Sequence, residues 1–100
     1  MRLQYSIVFH PLAKKEFDES INWYENVLTG LGEEFTKEIE SVINILEHQP
    51  KIFSIRKLNV REASVKYFPY LVVYRINQNL VTIVSIFHTS RNPKLKYEKR

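Results

Sequence analysis

One hundred residues of 12.0 kDa suffice for a single domain that buries about 60 to 70% of its unfolded surface without staples, and 44% hydrophobic with 26% charged residues describes a globular chain. The lack of cysteine excludes disulfides, iron–sulfur clusters, thiol catalysis and thiolate zinc sites, and the longest uncharged apolar run, Val81 to Phe87, falls far short of the ~20 residues of a membrane helix. The net charge of +4 is unevenly placed: residues 13–50 carry nine acids against Lys14, Lys15 and Lys37, whereas residues 51–100 carry eleven bases against Glu62 and Glu98.

Leu3, Tyr5, Ile7 and Phe9 alternate with Gln4, Ser6 and His10, Val8 being the one exception, the period of a half-buried strand, and His10-Pro11 ends it and opens a helix. Ala13, Phe17, Ile21, Tyr24 and Leu28 then form one apolar stripe, which predicts a helix over Leu12 to Val27. Thr29-Gly30-Leu31-Gly32 interrupts the pattern with the only two glycines of the chain. A second stripe at Phe35, Ile39, Val42 and Leu46, supported by Ile43, runs on until Pro50, so the two helices are expected to form an antiparallel hairpin. Beyond Pro50 the period shortens. A short strand is expected near Ile55 to Val60, then one over Arg61 to Tyr67, broken by Phe68-Pro69, then the nearly unbroken apolar runs Tyr70 to Ile76 and Leu80 to His88 around Asn77-Gln78-Asn79. The predicted fold is α+β: an N-terminal strand, a helical hairpin and a C-terminal antiparallel meander, with the helices on one face of the sheet. Residues 1–100 read as one domain, with a basic tail over 89–100 that is expected to be partly disordered.

Surfaces made for solubility alone mix both signs of charge, and the second half of this chain barely does. It predicts a face that meets something anionic, either nucleic acid or an acidic protein segment. There is no Gly-rich phosphate loop, His-x-x-x-His pair or Gly-x-Ser-x-Gly elbow, and His10, His48 and His88 fall on separate elements, so neither metal nor cofactor is expected. The N-terminus has no signal-peptide pattern; no membrane association and a cytoplasmic location are expected.

Order and spacing point to a family. A helical hairpin is followed by Arg61-Glu62, then Tyr67-Phe68-Pro69-Tyr70-Leu71-Val72-Val73-Tyr74-Arg75-Ile76, then Ile83-Val84-Ser85-Ile86-Phe87-His88 and Arg91-Asn92-Pro93. This succession resembles the RelE/ParE superfamily of toxins from type II toxin–antitoxin modules, over residues 3 to about 95. Phe9-His10-Pro11-Leu12-Ala13 with Asp18 and Trp23-Tyr24 is similar to its ParE-like branch. The resemblance implies a small basic toxin held inactive by the acidic C-terminal segment of a cognate antitoxin. It also implies one of two targets: ribosome-bound mRNA, cut in the A site by RelE-like members, or DNA gyrase, inhibited by ParE-like members.

RNA cleavage without metal needs a base, an acid for the leaving oxygen and cations on the phosphorane. The candidates are Arg61, Arg75, His88, Arg91 and Tyr97, arginine for its forked grip on phosphate and histidine for its titration near neutrality. Each has a plainer reading: Arg75 paired with Glu62, His88 as a hydrogen-bonding strand end, Arg91-Asn92-Pro93 as a turn, and Tyr97 nine residues past the last strand. Tyr67, Phe68, Tyr70 and Tyr74 read as sheet packing rather than a base-stacking platform, and Trp23 either packs on the second helix or stands exposed as an anchor. The composition fits binding better than catalysis. The residues expected to meet the antitoxin or the target are Lys57, Arg61, Lys66, Arg75 and Arg91, with a non-toxic partner-binding module as a third reading.

Overall fold

The computed structural model describes residues 4–93. Strand β1 (Ser6–Phe9) leads into helices α1 (Pro11–Val27) and α2 (Leu31–His48). A single 3-10 turn, Pro50–Ile52, precedes β2 (Arg61–Ser64), β3 (Tyr70–Asn77) and β4 (Leu80–His88). The four strands form one sheet in the order β1-β4-β3-β2, antiparallel except that β1 runs parallel to β4, with Ser6 opposite Leu80 and Phe9 opposite Ile83.

The helix boundaries have local causes. Pro11 occupies the first helical position, where its missing N–H costs nothing, and the Nδ1 atom of His10 accepts the Leu12 N–H at 3.1 Å. Between the helices Gly30 sits at φ 92°, where a side chain would be strained. Gly32 serves closeness instead: a Cβ there would lie 2.8 Å from the Ile21 carbonyl oxygen, so its absence lets α2 start against α1. The Glu25 carboxylate accepts the N–H groups of Gly30 and Gly32 at 3.0 and 3.1 Å, supplying the cap and the negative charge that the start of α2 favours.

Both stripes read from the sequence point into one core. Ala13, Tyr24, Phe35, Ile39, Val42 and Leu46 meet Ala63, Val65, Tyr70, Val72, Tyr74, Val81, Ile83 and Ile86 across the helix-facing side of the sheet. Phe35 anchors it, its ring centroid 5.1 Å from those of Tyr24 and Phe68 and 4.9 Å from that of Tyr70. A large apolar side chain buried like this contributes about 1.5 to 3 kcal/mol. The opposite side holds a smaller buried cluster of Val60, Val73, Val84 and Phe87. A bulge joins the two patterns. Val73 lies opposite Ser85 and Tyr74 opposite Ile83, so Val84 is the extra residue and the facing of β4 reverses there. That reversal, with apolar cover on both sides, is why the run from Val81 to Phe87 shows no alternation.

Four expectations are corrected. The strand near Ile55 to Val60 reduces to one bridge between Ile55 and Arg61, because Leu58 and Asn59 adopt left-handed backbone and close a tight turn through Arg56 N–H and Val60 C=O at 2.7 Å. β2 stops at Ser64 instead of Tyr67, since Tyr67 itself turns left-handed at φ 67°. Its side chain is 82% exposed rather than packed on the sheet. Leu28 lies just past the end of α1 and is exposed, off the core stripe. Leu3, the residues beyond Pro93 and Tyr97 with them lie outside the described residues.

Candidate binding site

The antiparallel ladder decides where each predicted cation points. Arg61 lies opposite Tyr74, on the helix-facing side shared with Ala63. Its guanidinium donates to the backbone carbonyls of Phe53 at 2.5 Å and Lys51 at 3.3 Å, so it fastens the connector after α2 to the sheet. Tyr74 helps from the neighbouring strand, its hydroxyl donating to the Pro50 carbonyl at 2.5 Å. Burial pushes the Tyr74 phenol up to about 12, against the pull of the Arg61 charge in the other direction. Arg75 follows Tyr74 along β3 and therefore projects from the opposite side of the sheet, the side of Val73 and of Glu62 on β2. The two arginines expected to clamp one phosphate thus stand on opposite faces.

Lys57 sits in the exposed turn beside β2, and Lys66 follows that strand with its ammonium 5.7 Å from the Tyr67 ring centroid. His88 closes β4 on the far side of β3. Its ring meets Tyr70 edge-on at 5.0 Å, and its Nδ1 atom takes the Ser90 N–H at 3.0 Å and faces the Ser90 hydroxyl at 2.7 Å. Arg91 N–H donates to the His88 carbonyl at 3.0 Å, so the chain turns at Thr89-Ser90, ahead of Arg91-Asn92-Pro93. The Arg91 guanidinium is 3.1 Å from the Glu16 carboxylate and 5.6 Å from the Phe87 ring centroid. His88 and Arg91 come together in a shallow cleft of about 210 Å³ with Glu16, Ser20, Trp23 and Tyr70. Trp23, 61% exposed, forms one wall with its edge on Tyr24 at 5.1 Å. Lys57, Arg61, Lys66 and Arg75 are not in that cleft.

Glu16 is the polar residue that sequence reasoning passed over. β1 ends where Pro11 starts the helix, leaving the second half of β4 without a strand on that side. The Glu16 Oε1 atom takes the vacant place of a strand carbonyl: the Ile86 N–H donates to it at 3.1 Å and the buried Ser85 hydroxyl at 2.9 Å. The signal was its spacing, for Glu16, Ser20 and Trp23 form a second line beside the stripe of Ala13, Phe17 and Tyr24. Tyr67 was missed as well. A tyrosine at positive φ stores about 1 to 3 kcal/mol of strain and points to a positional role.

Residues 7–93 match the ParE toxin of the type II toxin–antitoxin system, parDE. The chain belongs to the ParE toxin family. The fold of this ParE-family chain is also that of a chain in the chromosomal ParDE toxin–antitoxin system from P. aeruginosa, with a TM-score of 0.74 at 15% identity over 84% of this chain and 95% of that one. No curated protein matches it. Among the described residues of this ParE-family member no helix is long and apolar enough to cross a membrane, and no cluster of histidine and carboxylate groups could hold a metal.

Proposed function

We propose that this ParE-family toxin acts by binding an essential target, DNA gyrase, and is neutralised by the acidic C-terminal segment of a cognate antitoxin. The observation that supports binding over RNA cleavage is the separation of the candidate catalytic groups. Arg61 is committed to two backbone carbonyls, Arg75 projects from the other face, Arg91 is paired with Glu16, and His88 spends Nδ1 on Ser90. A phosphorane would need these cations within a few ångströms of one another. The ParE membership favours gyrase as the target. For the antitoxin, the candidates are Lys57, Arg61, Lys66, Arg75 and Arg91, with Arg75 on the face opposite the helices and Lys66 beside Val42 and Ile45 of α2.

Expression of the chain alone in growing cells tests the target, with plasmid supercoiling and the DNA-damage response as readouts. Lost supercoiling and an induced response are expected. Messenger RNA cut at A-site codons would install the endoribonuclease instead, and undisturbed growth with folded protein present would make it a non-toxic binding module. For the partner, the product of a short acidic reading frame beside the gene should bind the purified chain. Joint charge reversal of Lys66 and Arg75 should weaken that binding at least tenfold, and unchanged affinity would refute the basic surface.

A further inference from the structure

We infer that the outer edge of β1 is a self-association site, where two copies of this chain pair antiparallel about a two-fold axis at Val8 and join their four-stranded sheets into one. The inference does not depend on the target or the antitoxin proposed above.

The edge is open in a defined way. β1 begins the order β1-β4-β3-β2, so only one of its sides is paired. Ser6 N–H donates to the Asn79 carbonyl at 2.9 Å and His10 N–H to the Ile83 carbonyl at 2.8 Å, which turns the even-numbered residues toward β4. The backbone groups of Ile7 and Phe9 therefore face outward, and among the described residues no strand follows them. Natural sheet edges are blunted by charge, proline or a bulge. The other edge, β2, carries Arg61 and Glu62 and is bridged at one end by Ile55. β1 has no such protection: Gln4 to Phe9 holds neither charge nor proline, and its register with β4 is unbroken.

Hydrogen-bond accounting leaves one register. Two copies pair only where outward groups meet outward groups, so the axis passes through a residue and not between two. An axis at Ile7 would set Phe9 opposite Tyr5, whose N–H is already given to the Glu47 carbonyl at 2.8 Å. An axis at Phe9 would set Ile7 opposite Pro11, which has no N–H and begins α1. An axis at Val8 sets Ile7 opposite Phe9 of the second copy, and the two exchange both of their N–H···O bonds. Val8 then meets its own copy across the axis as a non-hydrogen-bonded pair, with Cα atoms about 4.5 Å apart.

The side chains suit this pairing. Ile7 and Phe9 are half-buried against the helix-facing core, and an aromatic beside a β-branched residue is a favourable cross-strand pair. Val8 points to the other face and is 43% exposed, apolar surface that its copy would cover. Charge selects the second copy as the occupant. An acidic or basic segment finds no counter-charge on Gln4 to Phe9, whereas a neutral strand does not repel itself. Lys57 and Lys66 flank β2, three strand spacings or about 14 Å from β1, beyond the roughly 8 Å over which exposed charges act in physiological salt. In the joined sheet both helical hairpins lie on one face and the two β2 edges lie at the far ends, free for other partners.

The test uses the full chain by itself. Sedimentation velocity over a range of concentrations should show a monomer–dimer equilibrium. Val8→Lys and Val8→Glu each set like charges directly opposite one another, so each variant should self-associate at least tenfold more weakly than wild type. An equimolar mixture of the two should recover that tenfold, because lysine then faces glutamate. In the wild type the amides of Ile7 and Phe9 should exchange hydrogen at least tenfold more slowly at high concentration than at low. This last measurement decides alone if either variant fails to fold by circular dichroism. A wild-type chain that stays monomeric up to about 1 mM overturns the inference. So does a dimer that both variants form within twofold of wild type, a mixture no tighter than its components, or exchange at Ile7 and Phe9 that ignores concentration. Protection that appears at Ser64 instead of Ile7 places the second copy on β2 and overturns it too.

Discussion

Replacing Glu16 by alanine should cost more stability than any other single change to a charged residue of α1. The carboxylate is 13% exposed and serves three donors, the Ile86 N–H at 3.1 Å, the Ser85 hydroxyl at 2.9 Å and Arg91 at 3.1 Å. A buried donor left without an acceptor costs about 1 to 3 kcal/mol, and the alanine variant strands two. The Arg91 pair adds at most about 1 kcal/mol, because that side chain is 41% exposed and solvent screens it. Alanine's better helix propensity returns only a few tenths of a kcal/mol. About 3 kcal/mol is the expected loss, a large share of the roughly 5 to 15 kcal/mol that holds a domain together. For a domain of this size it lowers Tm by roughly 12 to 24 °C. Glu16→Gln separates the two contributions. Its amide oxygen still accepts from Ile86 and Ser85, so only the ion pair is lost and the drop should stay under about 1 kcal/mol. Thermal and urea unfolding followed by circular dichroism measure both variants. Equal stability of Glu16→Ala and Glu16→Gln, within about 0.5 kcal/mol, would refute the reasoning, since the buried donors would then not depend on this carboxylate.

Tyr74 makes the fold sensitive to strong alkali: its phenol is held near 12 against an ordinary value of 10, so the protonated form belongs to the folded state. The contribution is whole below pH 10 and is lost as pH climbs from 10 to 12; denaturation across that range should show wild type losing about 2 to 3 kcal/mol more than Tyr74→Phe. Glu25→Ala removes the acceptor for the Gly30 and Gly32 N–H groups and should lower unfolding free energy by about 1 kcal/mol in urea titration, with Glu25→Gln in between. Gly32→Ala sets a helix-propensity gain of about 1 kcal/mol against a Cβ 2.8 Å from the Ile21 carbonyl oxygen. Backbone cannot yield as a side chain can, so overpacking of about 1 to 3 kcal/mol should prevail, and a higher Tm in calorimetry would show that it does not.

Much of the architecture was legible because the signals are local. Pro11, Gly30 and Pro50 punctuate two helices whose stripes at Ala13 to Tyr24 and Phe35 to Leu46 have one period each, and Gln78 at φ 56° makes the tight hairpin that Asn77-Gln78-Asn79 announces. What depended on distant neighbours was not legible. The bulge at Val84 is invisible in a run that is apolar on both faces. Arg61 and Arg75 looked like two cations of one surface, but fourteen positions of sequence do not say which side of a pleat each takes; only the pairing of Arg61 with Tyr74 does. Glu16 looked like one acid among nine on two solvated helices, because the strand it substitutes for ends seventy residues away from the strand it serves. The family resemblance was carried by order and spacing, and the match over residues 7–93 bears it out.

The placement of β1 has a consequence in time. Its one hydrogen-bonded neighbour in the sheet is β4, and Ser6 meets Leu80, so the first strand to leave the ribosome must wait for the last. Closing a loop of that length is entropically slow, and parallel pairing across it is slower to nucleate than a hairpin. The sheet therefore gains β1 only after β4 has been made.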